Sequence, residues 1–270
     1  MDRLGIDLLS AFGLPPVEYV GLAADLGCRH VTTGLTPLPW RLEGFPAWSL
    51  RDDAALRRET LAALHDRGVR ISVVSGFSLR AEADVRDLAA DMDIAAELGA
   101  QQLGSVGMDR DIPRAHDQLA VLTQMASERG LQVVLDYAPH QAINDLASAL
   151  AALRHTGSPD ALLSLDAMHV FRSGGSAAEI AALDPALIGY AQVCDAPRAA
   201  PHSDYGREAM FERLIPGEGD APLVAFVAAL PAETPIGVEV PNLAAVRAEG
   251  LAPFLGRAVA ASRALLQPRV

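Results

Sequence analysis

Short apolar runs alternate along the chain with longer stretches whose apolar positions recur at helical spacing. A run of four to eight residues bounded by turn residues reads as a buried strand, and a longer stretch with the 3.6-residue period reads as a helix packed by one face. Eight strand-like runs emerge, at residues 4–10, 30–34, 69–75, 101–106, 132–137, 162–167, 188–193 and 236–240. Each is followed by a helix-like stretch, at 16–26, 53–67, 83–98, 113–129, 144–155, 177–183, 222–229 and 243–266. Gly27, Gly68, Gly99, Gly130 and Gly157 fall just past helical stretches, where a left-handed residue ends a helix. Pro253 interrupts the last stretch and predicts two helices there.

This is the pattern of βα units around a parallel sheet. A length of 270 residues without a Pro/Gly/Ser-rich linker suits one (β/α)8 barrel of the α/β class, a single domain over residues 1–270. Two connections, 36–52 and 196–221, exceed the usual two to six residues and are candidates for binding or lid functions. The first carries Trp40, Phe45 and Trp48, which read either as a flap or subunit contact, allowing a homodimer, or as direct substrate contacts.

The ends of the strand-like runs are chemically unusual. Asp136 closes 131–136, Asp166 closes 161–166, Glu239 ends the apolar run 235–239, and Gln192 lies in 188–195. In a parallel barrel these are the ends where ligands gather. A carboxylate buried without a partner costs several kcal/mol or takes up a proton, so three of them ask for a shared compensator. A divalent metal ion held by Asp136, Asp166, Gln192 and Glu239 is the simplest, and oxygen donors suit Mn²⁺ or Mg²⁺. The competing reading of each Asp is a cap on the helix that follows. His169, three residues past Asp166, can lean over the same mouth to hold a substrate oxygen or shuttle a proton; the competing reading of a lone histidine, a surface or packing residue, is weakened by that offset.

Composition removes other chemistries. The net charge is −12, which repels nucleic-acid phosphates. No lysine occurs, which excludes Schiff-base catalysis and a P-loop. Cys28 and Cys194 are too few for a disulfide framework and read as reduced thiols. No apolar stretch approaches the roughly 18 residues a membrane helix needs, and Met1-Asp2-Arg3 leads into the first strand without a signal-peptide pattern, so a cytoplasmic protein without membrane partners is expected.

On these residues the chain resembles the xylose isomerase-like TIM-barrel superfamily of sugar-phosphate isomerases and epimerases, inosose and sugar-acid dehydratases, and base-excision endonucleases. The resemblance rests on Val134-Leu135-Asp136-Tyr137-Ala138-Pro139, Asp166-Ala167-Met168-His169, Gln192-Val193-Cys194-Asp195, Gly237-Val238-Glu239-Val240-Pro241 and the segment Arg213-Leu214-Ile215-Pro216-Gly217-Glu218-Gly219. It implies one divalent ion at Asp136, Asp166, Gln192 and Glu239, with Glu239 and Asp136 as the proton-transfer pair. His169 and Arg198 then stand where the epimerase branch holds its ketose. Two positions depart from the family pattern: Asp136 stands for a Glu, shortening the base by one methylene, and Gln192 stands for a His.

The reading that follows is a metal-dependent isomerase or epimerase acting on a sugar or sugar-like hydroxy-ketone through an enediolate, with Glu239, Asp136 and His169 catalytic and His169, Arg198 and Trp40 contacting substrate. Two alternatives stay open: a lyase that dehydrates a keto-polyol of the inosose or dehydroshikimate type on the same site, with His169 as the acid, and a non-catalytic barrel binding a small ligand. A DNA-repair endonuclease is disfavoured by the charge and by only seven histidines.

Overall fold

Strand segments that are buried on both faces cannot alternate apolar with polar residues, and β6 (Ala161–Asp166) and β7 (Ile188–Val193) are buried at every position. In the computed structural model, which describes residues 3–267, they belong to a closed parallel barrel. Its other strands are β1 (Leu4–Ile6), β2 (His30–Thr33), β3 (Arg70–Ser75), β4 (Gln102–Val106), β5 (Gln132–Asp136) and β8 (Ile236–Val238), in the order β1 to β8. The barrel closes through Leu4↔Ile236, Gly5↔Gly237 and Ile6↔Val238. Met1 and Asp2, read as leading into the first strand, lie outside the described residues.

The helices form the outer ring: α1 (Pro16–Asp25), α2 (Ala54–Arg67), α3 (Ala89–Glu97), α4 (Ile112–Ser127), α5 (Leu146–Thr156), α6 (Ala167–Arg172), α7 (Ala177–Ala181), α8 (Tyr205–Phe211), α9 (Leu223–Ala229), α10 (Leu243–Glu249) and α11 (Leu251–Leu265). All five predicted helix-ending glycines have left-handed φ, from 62° to 74°. The last helical region is divided, but at Gly250 (φ 90°); Pro253 sits in the first turn of α11, where its missing N–H costs nothing. Two short helices were not anticipated: α6, immediately after β6, and α8, inside the long seventh connection. No described helix is long and apolar enough to cross a membrane.

Every second residue of a strand points into the barrel. Val73, Val134, Leu162 and Tyr190 pack there as a separate apolar layer, the floor under the mouth. Tyr190 fits because Gly237 faces it: a Cβ at Gly237 would lie 2.3 Å from the phenol oxygen. One step further along the strands, the inward positions are Asp7, Thr32, Ser75, Asp136, Ser164, Gln192 and Glu239, so the layer above the floor is polar.

Candidate functional site

That polar layer lines a cavity of 460 Å³ at the carboxyl ends of the strands, within the size range of small-molecule sites. The two long connections meet over it. Trp40, a third exposed, stacks edge-on against Phe211 at 5.8 Å, and Met210 joins it on the cavity wall. Trp48 instead donates its indole N–H to the Gly13 carbonyl (3.1 Å) and fixes the base of the first loop.

Adjacent registers place Asp166 beside Gln192 and Gln192 beside Gly237. The four predicted donors do share one end of the barrel, but Asp166 and Glu239 share the guanidinium of Arg213, Gln192 turns to Asp7, and Asp136 keeps an oxygen without a partner. Asp166 accepts the backbone N–H of His169 at 2.9 Å and so caps α6, as the capping reading of strand-end Asp allowed. Its other oxygen receives the guanidinium of Arg213. Burial opposes ionisation of Asp166, yet Arg213 and the α6 N-terminus prevail and hold its pKa at about 2.

The same guanidinium nitrogen of Arg213 lies 2.9 Å from Glu239 Oε2 and 3.3 Å from Cys194 Sγ. Nε donates to the Ala209 carbonyl at 2.7 Å, and the side chain is 1% exposed. Glu239 is also hydrogen-bonded to Asp7; burial first and the charge of Asp7 second push its carboxyl well above the usual range, against Arg213. Gln192 turns its amide NH₂ to Asp7 Oδ2 (3.0 Å), while its carbonyl accepts from Ser164 Oγ at 3.4 Å.

Asp136 is the least compensated. Its side chain is a fifth exposed, one oxygen has no hydrogen-bond partner, and the other lies 3.6 Å from His169 Nε2. Burial, then the charge of Asp166, raises its pKa well above that of an ordinary carboxyl. His169 stands between the two acids, with Nδ1 3.6 Å from Asp166 Oδ1 and bonded to the Tyr205 hydroxyl. Burial lowers its pKa to about 4, so the ring is neutral near pH 7. If the Tyr205 phenol donates to Nδ1, the ring proton sits on Nε2, facing Asp136.

The segment Arg213 to Gly219 is what locks this wiring. Arg213 N–H donates to the Pro241 carbonyl (3.2 Å) and its own carbonyl accepts from Asn242 (3.0 Å), tying it to the end of β8. Asp195 accepts backbone N–H groups from Gly217 (2.8 Å), Ala221 (3.0 Å) and Ala196 (2.9 Å). A Cβ at Gly219 would lie 2.4 Å from Asp195 Oδ1, so only glycine lets this loop close on the carboxylate.

A sequence model of the xylose isomerase-like TIM barrel matches residues 20–257. The chain belongs to that family. No curated protein matches it. Among solved structures, the IolI protein with a bound zinc atom superposes with a TM-score of 0.80 at 16% identity, covering 98% of both chains. The probable 3-DHS dehydratase AsbF of petrobactin synthesis from Bacillus anthracis gives 0.78 at 13% over 100% of both chains. A D-psicose 3-epimerase solved with D-fructose gives 0.74 at 14%, over 98% of this chain and 99% of its own. Identities this low carry the fold and leave the chemistry to the residues.

Within this barrel the four expected donors, Asp136, Asp166, Gln192 and Glu239, share one end without converging on a common point. Among the described residues, no group of three or more His, Cys, Asp or Glu side chains is arranged to hold a metal ion. Asp166 and Glu239 converge on a guanidinium, and Gln192 is engaged on both of its polar atoms. As arranged, Asp166 and Glu239 are turned to Arg213, and Gln192 to Asp7 and Ser164, instead of to one ion.

Arg198 stands apart from these residues. It is exposed, its backbone N–H donates to Asp220 (2.9 Å), and it lines a different cleft with Phe171, Arg172 and Pro222, away from the mouth. Trp40 does reach the cavity, and His169 lies behind its wall between Asp136 and Asp166. Four features escaped the sequence reading: Asp7, Tyr190, the contact of Tyr205 with His169 and the pairing of Arg213 with Asp166 and Glu239. Asp7 carried a legible signal, since it closes the apolar run Leu4-Gly5-Ile6 as Asp136 closes its own. The other three depend on long connections or on the floor of the barrel, which periodicity does not locate. Cys194 is a free, buried thiol at the back of the site, against Arg213.

Proposed function

We propose that this protein is a sugar isomerase- or epimerase-like enzyme that moves a proton on the carbon next to a carbonyl in a small polyhydroxylated substrate. One observation carries this reading: two carboxyls at the ends of strands three apart, Glu239 just past β8 and Asp136 closing β5, face one sugar-sized cavity with pKa values raised well above the carboxylate range. A general base or acid works best when its pKa approaches the working pH. Glu239, anchored by Arg213 and sharing a hydrogen bond with Asp7, takes the proton; Asp136 returns one from its own side of the cavity. Ser75, Ser164, Thr32 and Gln192 present the hydroxyl and amide groups that a polyol would bond.

The activities named for the AsbF and D-psicose 3-epimerase neighbours support the substrate class. The zinc atom of the IolI neighbour supports metal use, but the side-chain arrangement of this chain does not, so no step here runs through a metal.

The test is NMR in D₂O with a panel of ketoses, inososes and 3-keto-sugars. Deuterium enters the carbon next to the carbonyl of at least one of them, and Glu239→Gln slows that exchange by about 10²- to 10⁴-fold while remaining folded. Uptake into none of the panel by the wild-type protein overturns the enzyme reading in favour of a binding barrel.

A further inference from the structure

We propose that the guanidinium of Arg213 is the resident cation of this site and closes it to a divalent ion. The proposal rests on the barrel mouth being the functional site; its tests below need no substrate, so they stand or fall separately from the proposed activity.

Three independent placements lead to it. The first is the position of the charge. Arg213 is the largest of the fully buried side chains, and its Nη1 lies between the carboxyls of Asp166 and Glu239, on the sixth and eighth strands. A positive charge therefore already stands where an ion bridging those two oxygens would sit. The second is the loss of competing donors. Gln192, on the strand between them, points its donor NH₂ toward Asp7, leaving a carbonyl oxygen already held by Ser164. Asp136, the remaining acid, meets the neutral ring of His169 instead of converging on the others.

The third is how firmly the cation is built in. Its Nε bonds the carbonyl of Ala209 at the end of α8, its backbone joins Pro241 and Asn242, and two residues flanking it, Glu212 and Leu214, bridge to Asn242 and Asp195. A fork with five N–H donors that cannot lose its proton satisfies several acceptors at fixed geometry, which a mobile ion would do only after shedding water. In this arrangement Arg213 is a positioning residue: it keeps Asp166 ionised and fixes the Glu239 carboxyl with one oxygen anchored and the remainder facing the cavity.

The experiment is metal binding by three full-length proteins: wild type, Arg213→Lys and Arg213→Met. Metal content is read by mass spectrometry after purification without chelator, and Mn²⁺ and Zn²⁺ are titrated by calorimetry and by thermal shift. Wild type carries substoichiometric metal, shows no saturable binding, and keeps its Tm in EDTA. R213K, which retains a cation, behaves the same. R213M gains a saturable site for Mn²⁺ or Zn²⁺, with a Tm that rises with free metal as ligand linkage requires, and Asp166→Asn in the R213M background abolishes it. A wild-type protein holding about one divalent ion per chain, lost together with Tm in EDTA or on Asp166→Asn, would overturn the proposal. So would a folded R213M that takes up no ion. Should R213M fail to fold, the wild-type and R213K titrations decide alone.

Discussion

Asp136 and Asp166 close neighbouring strands, face the same end of the barrel and are the same chemical group, yet the protein treats them oppositely. Asp166 is held ionised with a pKa of about 2, whereas the Asp136 carboxyl is pushed well above its ordinary range. Burial disfavours the charged form of both. What separates them is what each oxygen finds: Asp166 meets a buried guanidinium and a helix N-terminus, and Asp136 meets a neutral imidazole on one oxygen and nothing on the other. Structural carboxylates and proton carriers are therefore made by neighbours, one strand apart. A charge that is fully paired cannot shuttle protons near neutral pH, and one that is left half-paired can.

Removing the partner on the paired side should have the largest effect. Arg213→Met leaves Asp166 buried without its cation, and breaking a buried pair in this way costs about 3 to 5 kcal/mol; denaturant melts of the metal-free variant at pH 7 measure it. A loss below 1 kcal/mol, on the order of a surface ion pair, would show that Asp166 is compensated by something else.

The half-paired side should respond in the opposite sense. A folded-state pKa above the unfolded value means that the folded chain binds the extra proton, so Asp136 costs stability as pH rises above the unfolded pKa. Asp136→Asn, which cannot ionise, should raise Tm more at pH 8 than at pH 5. An increment that does not grow with pH would place the Asp136 pKa in the ordinary range.

His169 sharpens the comparison from between the two acids. Its pKa falls from 6.5 to about 4 on folding, so its contribution is present above pH 6.5 and is lost as pH falls toward 4. Replacing it with Gln should flatten the stability curve across that window; an unchanged slope in urea melts would mean that the ring is protonated in the folded state.

The smallest effect belongs to the rim. Trp40 touches the cavity and Phe211 but none of the acids, so Trp40→Ala should weaken substrate binding by about 1 kcal/mol without moving either acid's pH dependence. A shift in those pH dependences would tie the flap to the carboxyls after all.

Much of this architecture is legible in the sequence, because apolar period and helix-ending glycines are local signals. All eight strands lie where the runs placed them, within a few residues at the ends, and the five glycines end helices as expected. The strand-end acids were legible for the same reason, and Asp7 would have joined them had its run been judged by the same rule. The short helices α6 and α8 were not, since six or seven residues are too few to show a period.

The sequence by itself determined that acidic side chains would crowd the carboxyl end of a parallel barrel, since strand periodicity and the position of each acid at its run's end leave no other place for them. Which positive group would answer them was decided only in three dimensions. Arg213 is 47 residues from Asp166 and 26 from Glu239 along the chain, and in the sequence it belongs to a segment that reads as a turn. Only the folding of the seventh connection over the mouth, locked by Asp195 and by the space at Gly219, brings its guanidinium between them. Charge balance is a sum over everything within a few ångströms, and proximity of that kind is written in the tertiary structure alone.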